Sequence, residues 1–459
     1  MDGGSLSAAL FISYAALLVV LGLLLRRPGG RDEKYLAGRT LSTSAVAATL
    51  AATSIGGSAT VALAGFVYTR GLSGLWLDLP LAAGLVATGI LLAGPVRASG
   101  AMSLPQLSQS HYGEGFRRAL AVLVLCAEVA WFALLTRAAA PFLQQMTGLD
   151  PTAALLTVAG LFTLYTALGG QRAVAATDSL QLWLLMVAGL AVPALLVLGR
   201  TDLLAGLEPS MVQFPMGAGM DLRAIAGLFM MMSLPGMVGG DVYGKILSAR
   251  NAKSARRGTV AAGLIKVAAA ACVAVLALGA RLALTAEHHP DEVLSAVLAE
   301  VMPAWLLPLA WLGFLAAMMS SADSVLLTGA TVLDVDLLPQ PSRRPSWFSP
   351  AFVVACLAAL GTLIALAASG VVPLLMWAYT VFAAGAPLPI LAALILRRRA
   401  SGSWATAALA LGGAVAAAAK LAGMESAVLY GLAASAILMG LGLALGESSA
   451  FRECSQQVS

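Results

Sequence analysis

The sequence predicts an all-α polytopic membrane protein with about thirteen transmembrane helices. The chain has 459 residues, of which 60% are hydrophobic and 11% charged, whereas a soluble domain of this length exposes far more charge. A helix needs about 20 apolar residues to cross a bilayer. About thirteen such runs occur, at roughly 6–25, 42–69, 75–94, 118–145, 151–168, 178–199, 223–243, 258–284, 303–335, 347–368, 371–396, 404–422 and 427–446.

The charges between the runs orient them. Alternate connecting segments are rich in arginine and lysine, and the segments between those are nearly free of both. The positive-inside rule then places the N-terminus outside the cell and the C-terminus in the cytoplasm. We expect the protein to lie in the inner membrane. Lys245 is assigned to one of the cytoplasmic segments. Because basic residues follow the topology, the net charge of +5 does not indicate nucleic-acid binding.

Two of the runs carry helix-breaking residues at mid-depth. The second run contains Thr53–Ser58, and the seventh contains Ser233–Gly236 followed by Gly239–Gly240. Five spans separate the two places, so the segments have opposite orientations in the membrane. Interrupted helices at equivalent places in inverted repeats mark the substrate and ion sites of secondary transporters. Packing glycines are the alternative for one such stretch, but the matched pair favours two broken helices.

The run at 303–335 adds hydroxyls and a carboxylate within Ala316–Ser324. Backbone carbonyls freed at the first break, facing these serine hydroxyls, form a cage of neutral oxygens that suits sodium; a carboxylate-rich cage suits calcium better. This predicts an ion-coupled transporter. The chain offers no P-loop, no disulfide or metal spacing among its four cysteines, and no catalytic constellation within the runs. We therefore expect neither an enzyme nor direct drive by ATP.

Four segments together give a more specific pattern: Ala52–Gly57, Leu168–Gly170 with Thr177–Gln181, Ala317–Ser324 and Trp377–Pro387. With them the chain resembles the sodium:solute symporter family over nearly its whole length. The resemblance implies the LeuT-like fold, a five-plus-five inverted repeat with broken first and sixth core helices. The implied parts are a peripheral helix at 1–30, repeats at 40–200 and 220–398, two peripheral helices at 402–447 and a cytoplasmic tail at 448–459.

The resemblance also implies the ligands of the sodium ion. They are backbone carbonyls of the first core helix, together with one carbonyl and two hydroxyls of the eighth: Ala52, Ile55, Ala317, Ser320 and Ser321. The alternative for the two serines is a hydrogen bond back to the preceding turn. Asp178, Asp323 and Ser324 form a second set, for another cation or a proton. N-capping competes for Asp178, whereas a carboxylate inside a span, as at Asp323, is usually functional.

The solute is expected at mid-depth, beside the breaks. The candidate contacts are Ser54, Gly57, Ser58, Trp131, Ser233 and Tyr379. The core runs contain very little asparagine and glutamine, so we expect an amino acid, a short carboxylate or a vitamin-like acid rather than a sugar. The predicted function is sodium-coupled symport by alternating access, with the lipid bilayer and the solute as partners and no obligatory protein partner. Proton-coupled symport and a transporter-fold sensor remain as alternatives.

Overall fold

The computed structural model describes residues 3–25, 31–200, 206–217, 220–284, 288–339, 349–396, 401–424 and 426–456. Within these ranges the chain is helical and forms no β-strand; a single β-bridge joins Leu41 to Ala249. The longer helices are Gly3–Leu25, Thr43–Ile55, Gly57–Arg70, Leu79–Leu91, Leu104–Thr147, Pro151–Leu184, Val192–Gly199, Leu222–Val238, Gly240–Ser248, Ala252–Ala283, Val293–Val301, Leu307–Val332, Pro350–Ala367, Val371–Gly385, Gly402–Leu421 and Ala427–Gln456. Shorter helical segments are Arg31–Leu36, Ala37–Arg39, Gly71–Leu77, Ala93–Ala98, Leu185–Ala191, Pro209–Val212, Leu333–Leu337, Pro387–Leu391 and Ala392–Leu396.

The described ranges contain 10 helices long and apolar enough to cross a membrane, or 11 when a pair bent by 43° near Ala386 is taken as one span. The predicted fold class is therefore confirmed, but the count of thirteen is not. Several predicted runs meet at a kink rather than at a connecting segment, so that one long span covers two of them. The runs at 151–168 and 178–199 meet in this way at Gly170, whose φ of 67° and ψ of 176° are not helical.

The first core helix consists of Thr43–Ile55 and Gly57–Arg70, separated at Gly56. Ser42 begins it as an N-cap, because the serine hydroxyl accepts a hydrogen bond from the Ala45 N–H. At Gly56 the backbone turns to φ −45° and ψ 160°, which is extended rather than helical. The break falls within the small-residue stretch that predicted it.

The sixth core helix is also broken, at the Gly239–Gly240 pair that the sequence singles out. Its halves are Leu222–Val238 and Gly240–Ser248, separated by Gly239 at φ −59° and ψ 137°. Pro235 lies inside the first half. Proline prevents a backbone hydrogen bond to the preceding turn, yet the helix continues beyond it and ends at the glycine pair. The second half continues to Ser248, so Lys245 is helical.

The eighth core helix, Leu307–Val332, lies at the centre of the molecule. In its most apolar window 94% of the residues are buried, and it packs against the third core helix Leu104–Thr147 and against the first. A membrane helix surrounded by protein can carry polar side chains that lipid would not tolerate. The hydroxyls and the carboxylate predicted from Ala316–Ser324 therefore all face protein.

Ion pairs join helix ends on the side that the charge pattern assigns to the cytoplasm. Arg31 contacts Asp334 at 3.2 Å, Arg117 contacts Asp336 at 2.8 Å and Arg172 contacts Glu33 at 2.6 Å. Their partners come from the short helix Arg31–Leu36 and from the end of the eighth core helix. These ion pairs therefore join helix ends on this side of the bundle.

Candidate functional site

The break at Gly56 frees backbone carbonyls that an unbroken helix would use internally. Ser321 of the eighth core helix takes up two of them: its hydroxyl lies 2.9 Å from the Thr53 carbonyl oxygen and 3.5 Å from that of Ala52. The same hydroxyl lies 3.1 Å from the Ala317 carbonyl oxygen, one turn earlier in its own helix. One hydroxyl thus meets neutral oxygens from both helices.

The structure brings together most of the predicted sodium ligands. Ala52, Ala317 and Ser321 converge at this contact, and Ile55 is the buried last residue before the break. These carbonyl and hydroxyl oxygens are the kind of donors that a hard monovalent cation accepts. Ser320 differs, because its hydroxyl donates to Asp178 Oδ1 at 2.5 Å. Its role as a sodium ligand stays a prediction.

The glycine at the break is required by this close approach. A Cβ built on Gly56 would lie 1.6 Å from Ser321 Oγ and 3.2 Å from the Ala317 carbonyl oxygen. No side chain of the eighth helix could yield enough space without moving the helix itself. The first and eighth core helices can therefore approach this closely because residue 56 has no side chain.

Lys245 was assigned from sequence to a cytoplasmic connecting segment, and that assignment is wrong. Its side chain is 2% exposed, and its ammonium group lies among the first, fifth and eighth core helices. Nζ donates to Thr53 Oγ1 and Ser324 Oγ at 2.6 Å each and to Thr49 Oγ1 at 2.9 Å. Asp178 Oδ2 lies 3.8 Å away. The predicted run ends at residue 243, whereas the helix Gly240–Ser248 continues past Lys245 and keeps this residue in the bundle.

Of the second predicted set, Asp178 and Ser324 belong to this lysine cluster. Thr49 also donates to Asp178 Oδ2. Asp323 is buried nearby, and its Oδ1 instead accepts from the Thr166 hydroxyl at 2.5 Å. Among the described residues its other oxygen has no hydrogen-bond partner. Their role in binding a free cation or a proton stays a prediction.

A second buried lysine lies at the break. Lys266 of the seventh core helix, Ala252–Ala283, is fully buried, forms an ion pair with Asp78 at 2.7 Å and donates to the Ser54 carbonyl oxygen. A buried charge needs both an opposite charge and hydrogen bonds, and this arrangement supplies both. It also satisfies another of the carbonyls that the break at Gly56 frees.

Thr88 performs the corresponding task at the sixth core helix. Its hydroxyl lies 3.3 Å from the Gly236 carbonyl oxygen and 3.2 Å from that of Met237. Both carbonyls lie in the last turn before the break at Gly239, where carbonyl oxygens lack backbone N–H donors from their own helix. Each broken helix is thus capped at mid-depth by a hydroxyl from a neighbouring helix, as expected where irregular backbone lies within a membrane protein.

A cavity lies beside both breaks. Ser54, Trp131 and Tyr379 line it, as the sequence predicts, together with Thr53 and Ser321 of the contact across the break at Gly56. The Trp131 and Tyr379 rings pack at a tilt with their centroids 5.2 Å apart. The full lining is Thr53, Ser54, Leu77, Asp78, Leu81, Leu85, Trp131, Leu135, Met232, Pro235, Asp241, Val242, Ser321, Val325, Leu375 and Tyr379.

Three further predicted solute contacts lie elsewhere or have no described side chain. Ser233 is buried at the contact with the second core helix, where a Cβ on Gly84 would meet the Ser233 carbonyl oxygen. Gly57 and Ser58 begin the second half of the first core helix. The structure describes only the backbone there, so the solute contact of Ser58 stays a prediction.

Asp241 lines two cavities. It lines the cavity beside the breaks and also a smaller one toward the predicted cytoplasmic side, which Tyr35, Met102 and Lys245 line as well. Its carboxylate lies in the first turn of the second half of the sixth core helix, where the helix dipole stabilises negative charge. The sequence interpretation did not single out Asp241, Asp78 or Lys266. All three lie inside predicted spans, and an ionisable residue in a span was a usable signal.

Comparisons with curated proteins identify transporters. The chain is 25% identical to a high-affinity choline transporter of Caenorhabditis elegans over 73% of its own length and 62% of the relative. It is 27% identical to a sodium/proline symporter of Staphylococcus aureus over 39% of its own length and 37% of the relative. The chain thus spans less than two thirds of these relatives.

Solved structures and a family profile give broader coverage. A Na+-coupled sialic acid symporter in a substrate-bound outward-open state superposes with a TM-score of 0.82 at 15% identity, over 96% of this chain and 97% of that one. A nucleobase-cation-symport-1 family transporter gives 0.63 at 18% identity, over 93% and 96%. These likenesses confirm the LeuT-like fold. The profile of the sodium:solute symporter family matches residues 35–412, and the chain belongs to that family.

Proposed function

We propose that this protein is a sodium-coupled symporter of a small organic solute that works by alternating access. The observation that carries the proposal is the contact of Ser321 with the carbonyls of Ala52, Thr53 and Ala317 across the break at Gly56. A sodium ion bound there would draw oxygens from both helices. It would stabilise the conformation in which the helices touch, and the solute cavity is lined by part of the same contact.

Coupling follows from the shared residues. Thr53 and Ser321 belong both to the oxygen contact and to the cavity lining. A ligand that fixes either residue changes the free energy of binding the other ligand, and such coupling is reciprocal. Sodium is therefore expected to raise the affinity for the solute, and the solute to raise the affinity for sodium by the same factor.

The charges of the cavity favour a solute with a positively charged nitrogen. Two carboxylates line it, and of these Asp78 is neutralised by Lys266 whereas Asp241 lines both cavities. Trp131 and Tyr379 add aromatic faces, which attract organic cations. Among the solutes expected from sequence, an amino acid carries such a nitrogen. The names of the choline and proline transporters among the relatives are consistent with this class.

The topology belongs to the same proposal. We assign residues 40–200 and 220–398 to the two inverted repeats, because each contains one broken helix near its start. The ion-paired side that includes Arg31 and Asp334 is assigned to the cytoplasm, with the N-terminus outside. Labelling of single cysteines at His289 and at Arg257 with a membrane-impermeant reagent on intact cells tests this. Only the first position is expected to react.

Thermal stability of the purified protein in detergent tests the function. Sodium is compared with potassium at equal ionic strength, alone and with amino acids, quaternary ammonium compounds, carboxylates and sugars. A solute that stabilises the protein only when sodium is present supports symport and identifies the solute. Absence of any sodium effect, with every solute and at every pH, contradicts it. Organic cations are kept out of the reference buffer, because they belong to the proposed solute class.

A further inference from the structure

Lys245 places a positive charge where the sequence predicts a second cation site. Its Nζ is held by the hydroxyls of Thr49, Thr53 and Ser324, by the Thr49 carbonyl oxygen at 3.3 Å, and by the Asp178 carboxylate at 3.8 Å. Hydroxyls, a carbonyl and a carboxylate are also what a sodium ion would require. The side chain comes from the sixth core helix, whereas its ligands come from the first, fifth and eighth.

Both oxygens of the carboxylate at the centre of this cluster already have partners. Asp178 is 0% exposed; its Oδ1 accepts from Ser320, and its Oδ2 accepts from Thr49 and faces Lys245. An ammonium and a sodium ion carry the same charge and would compete for the same oxygens. In so dry a site their mutual repulsion is not screened. The cluster therefore accommodates one cation.

We propose that Lys245 is a tethered cation that permanently fills the second cation site, so that the protein binds a single sodium ion, at the Ser321 contact. The proposal rests on the sodium coupling proposed above and concerns its stoichiometry. It gives Asp178 and Ser324 a definite task, which is to hold the second half of the sixth core helix against the first and eighth.

The test is the number of sodium ions bound per chain, measured with radioactive sodium on the purified full-length protein. The wild-type protein is expected to bind one ion. Lys245→Ala removes the ammonium and leaves space beside an unpaired Asp178, so it is expected to bind two. Lys253→Ala, an exposed lysine at the start of the seventh core helix, is the matched control and is expected to stay at one.

Each result is decisive. Two ions on the wild-type protein overturn the tethered-cation proposal while leaving sodium coupling intact, and this measurement does not depend on whether a variant folds. A folded Lys245→Ala that still binds one ion also overturns it. No bound sodium on the wild-type protein would contradict the proposed symport as well, so the two failures are distinguishable.

Discussion

Gly56 and Ser321 meet so closely that no side chain fits between them: a Cβ on the glycine would lie 1.6 Å from the serine hydroxyl oxygen. The two residues belong to the first and eighth core helices, and their contact joins the helix break to the hydroxyl that bonds its freed carbonyls. Geometry at this single point decides whether the proposed sodium ligands can converge.

Gly56→Ala is therefore expected to separate the two helices and abolish sodium-induced stabilisation. Rotation of the Ser321 hydroxyl cannot make room for the methyl group, because Ser321 Cβ lies 2.7 Å and the Ala317 carbonyl oxygen 3.2 Å from its position. Thermal unfolding with and without sodium measures the effect. Gly160→Ala is the control, since a Cβ there meets nothing within 4 Å. A folded Gly56→Ala protein with a normal sodium response would contradict the proposed site.

Ser321→Ala is expected to lower sodium affinity about 10-fold or more, because it removes one oxygen ligand of the ion. The loss of a polar partner in a buried site costs roughly 1–3 kcal/mol. Sodium titration of the thermal shift measures it, and Thr157→Ala, which removes an exposed hydroxyl bonded to its own helix, is the control. The outcome separates two kinds of coupling. Intact transport in Ser321→Ala, combined with complete loss in Asp178→Asn, would favour proton coupling.

Lys266→Met is expected to destabilise the protein by about 3–5 kcal/mol, the usual effect of removing one partner of a buried ion pair. The change leaves Asp78 charged and buried and leaves the Ser54 carbonyl oxygen without its donor. Denaturation in detergent measures the loss. The double variant Asp78→Asn with Lys266→Met should recover part of it. If Lys266→Met is as stable as the wild-type protein, the ion pair contributes nothing.

Trp131→Ala is expected to weaken solute binding about 10-fold while leaving the sodium response without solute unchanged. Cation–π contacts in desolvated sites contribute about 1–2 kcal/mol, and Trp131 presents its ring to the cavity beside Tyr379. Solute titrations at saturating sodium measure the change. Trp305→Ala, at 71% exposure, serves as the control. Equal solute affinities in the two variants would place the solute elsewhere.

Asp336→Asn is expected to loosen the predicted cytoplasmic side, because it removes the charge from the buried partner of Arg117. A cysteine introduced at Thr328, in the cavity on that side, should then react faster with a soluble thiol reagent. Arg118→Gln, which breaks the more exposed pair of Arg118 with Glu114 and leaves Arg117 unchanged, is expected to alter the rate little, since exposed pairs contribute about 1 kcal/mol or less. Equal rates in both variants would argue against a charge-held closure.

The spans and the break at Gly56 could be predicted because both depend on local patterns, whereas Ser321 as a sodium ligand came from the resemblance to the family. Apolar runs predict spans, and the Ala317 carbonyl and the Ser321 hydroxyl, one turn apart, share a helix face. Lys245 shows what such patterns miss. A lysine just beyond an apolar run is normally a loop residue. Only the continuation of the helix Gly240–Ser248, together with the Asp178 partner from a distant helix, places it in the core. Lys266 and Asp78 gave a signal within their runs, but their pairing required the packed helices.

Because the Lys245 ammonium group is covalently attached to the protein, the proposal has a consequence for the charge that transport moves across the membrane. A free ion leaves to the cytoplasm, and the carrier returns without it, whereas an ammonium group attached to the sixth core helix returns with the empty protein. Together with Asp178 it forms a neutral pair that stays with the protein throughout the cycle. Membrane voltage, at about 2.3 kcal/mol per charge per 100 mV, would then act on the charge of one sodium ion and of the solute. The charge moved across the membrane per transported solute should therefore equal the charge of one sodium ion plus that of the solute.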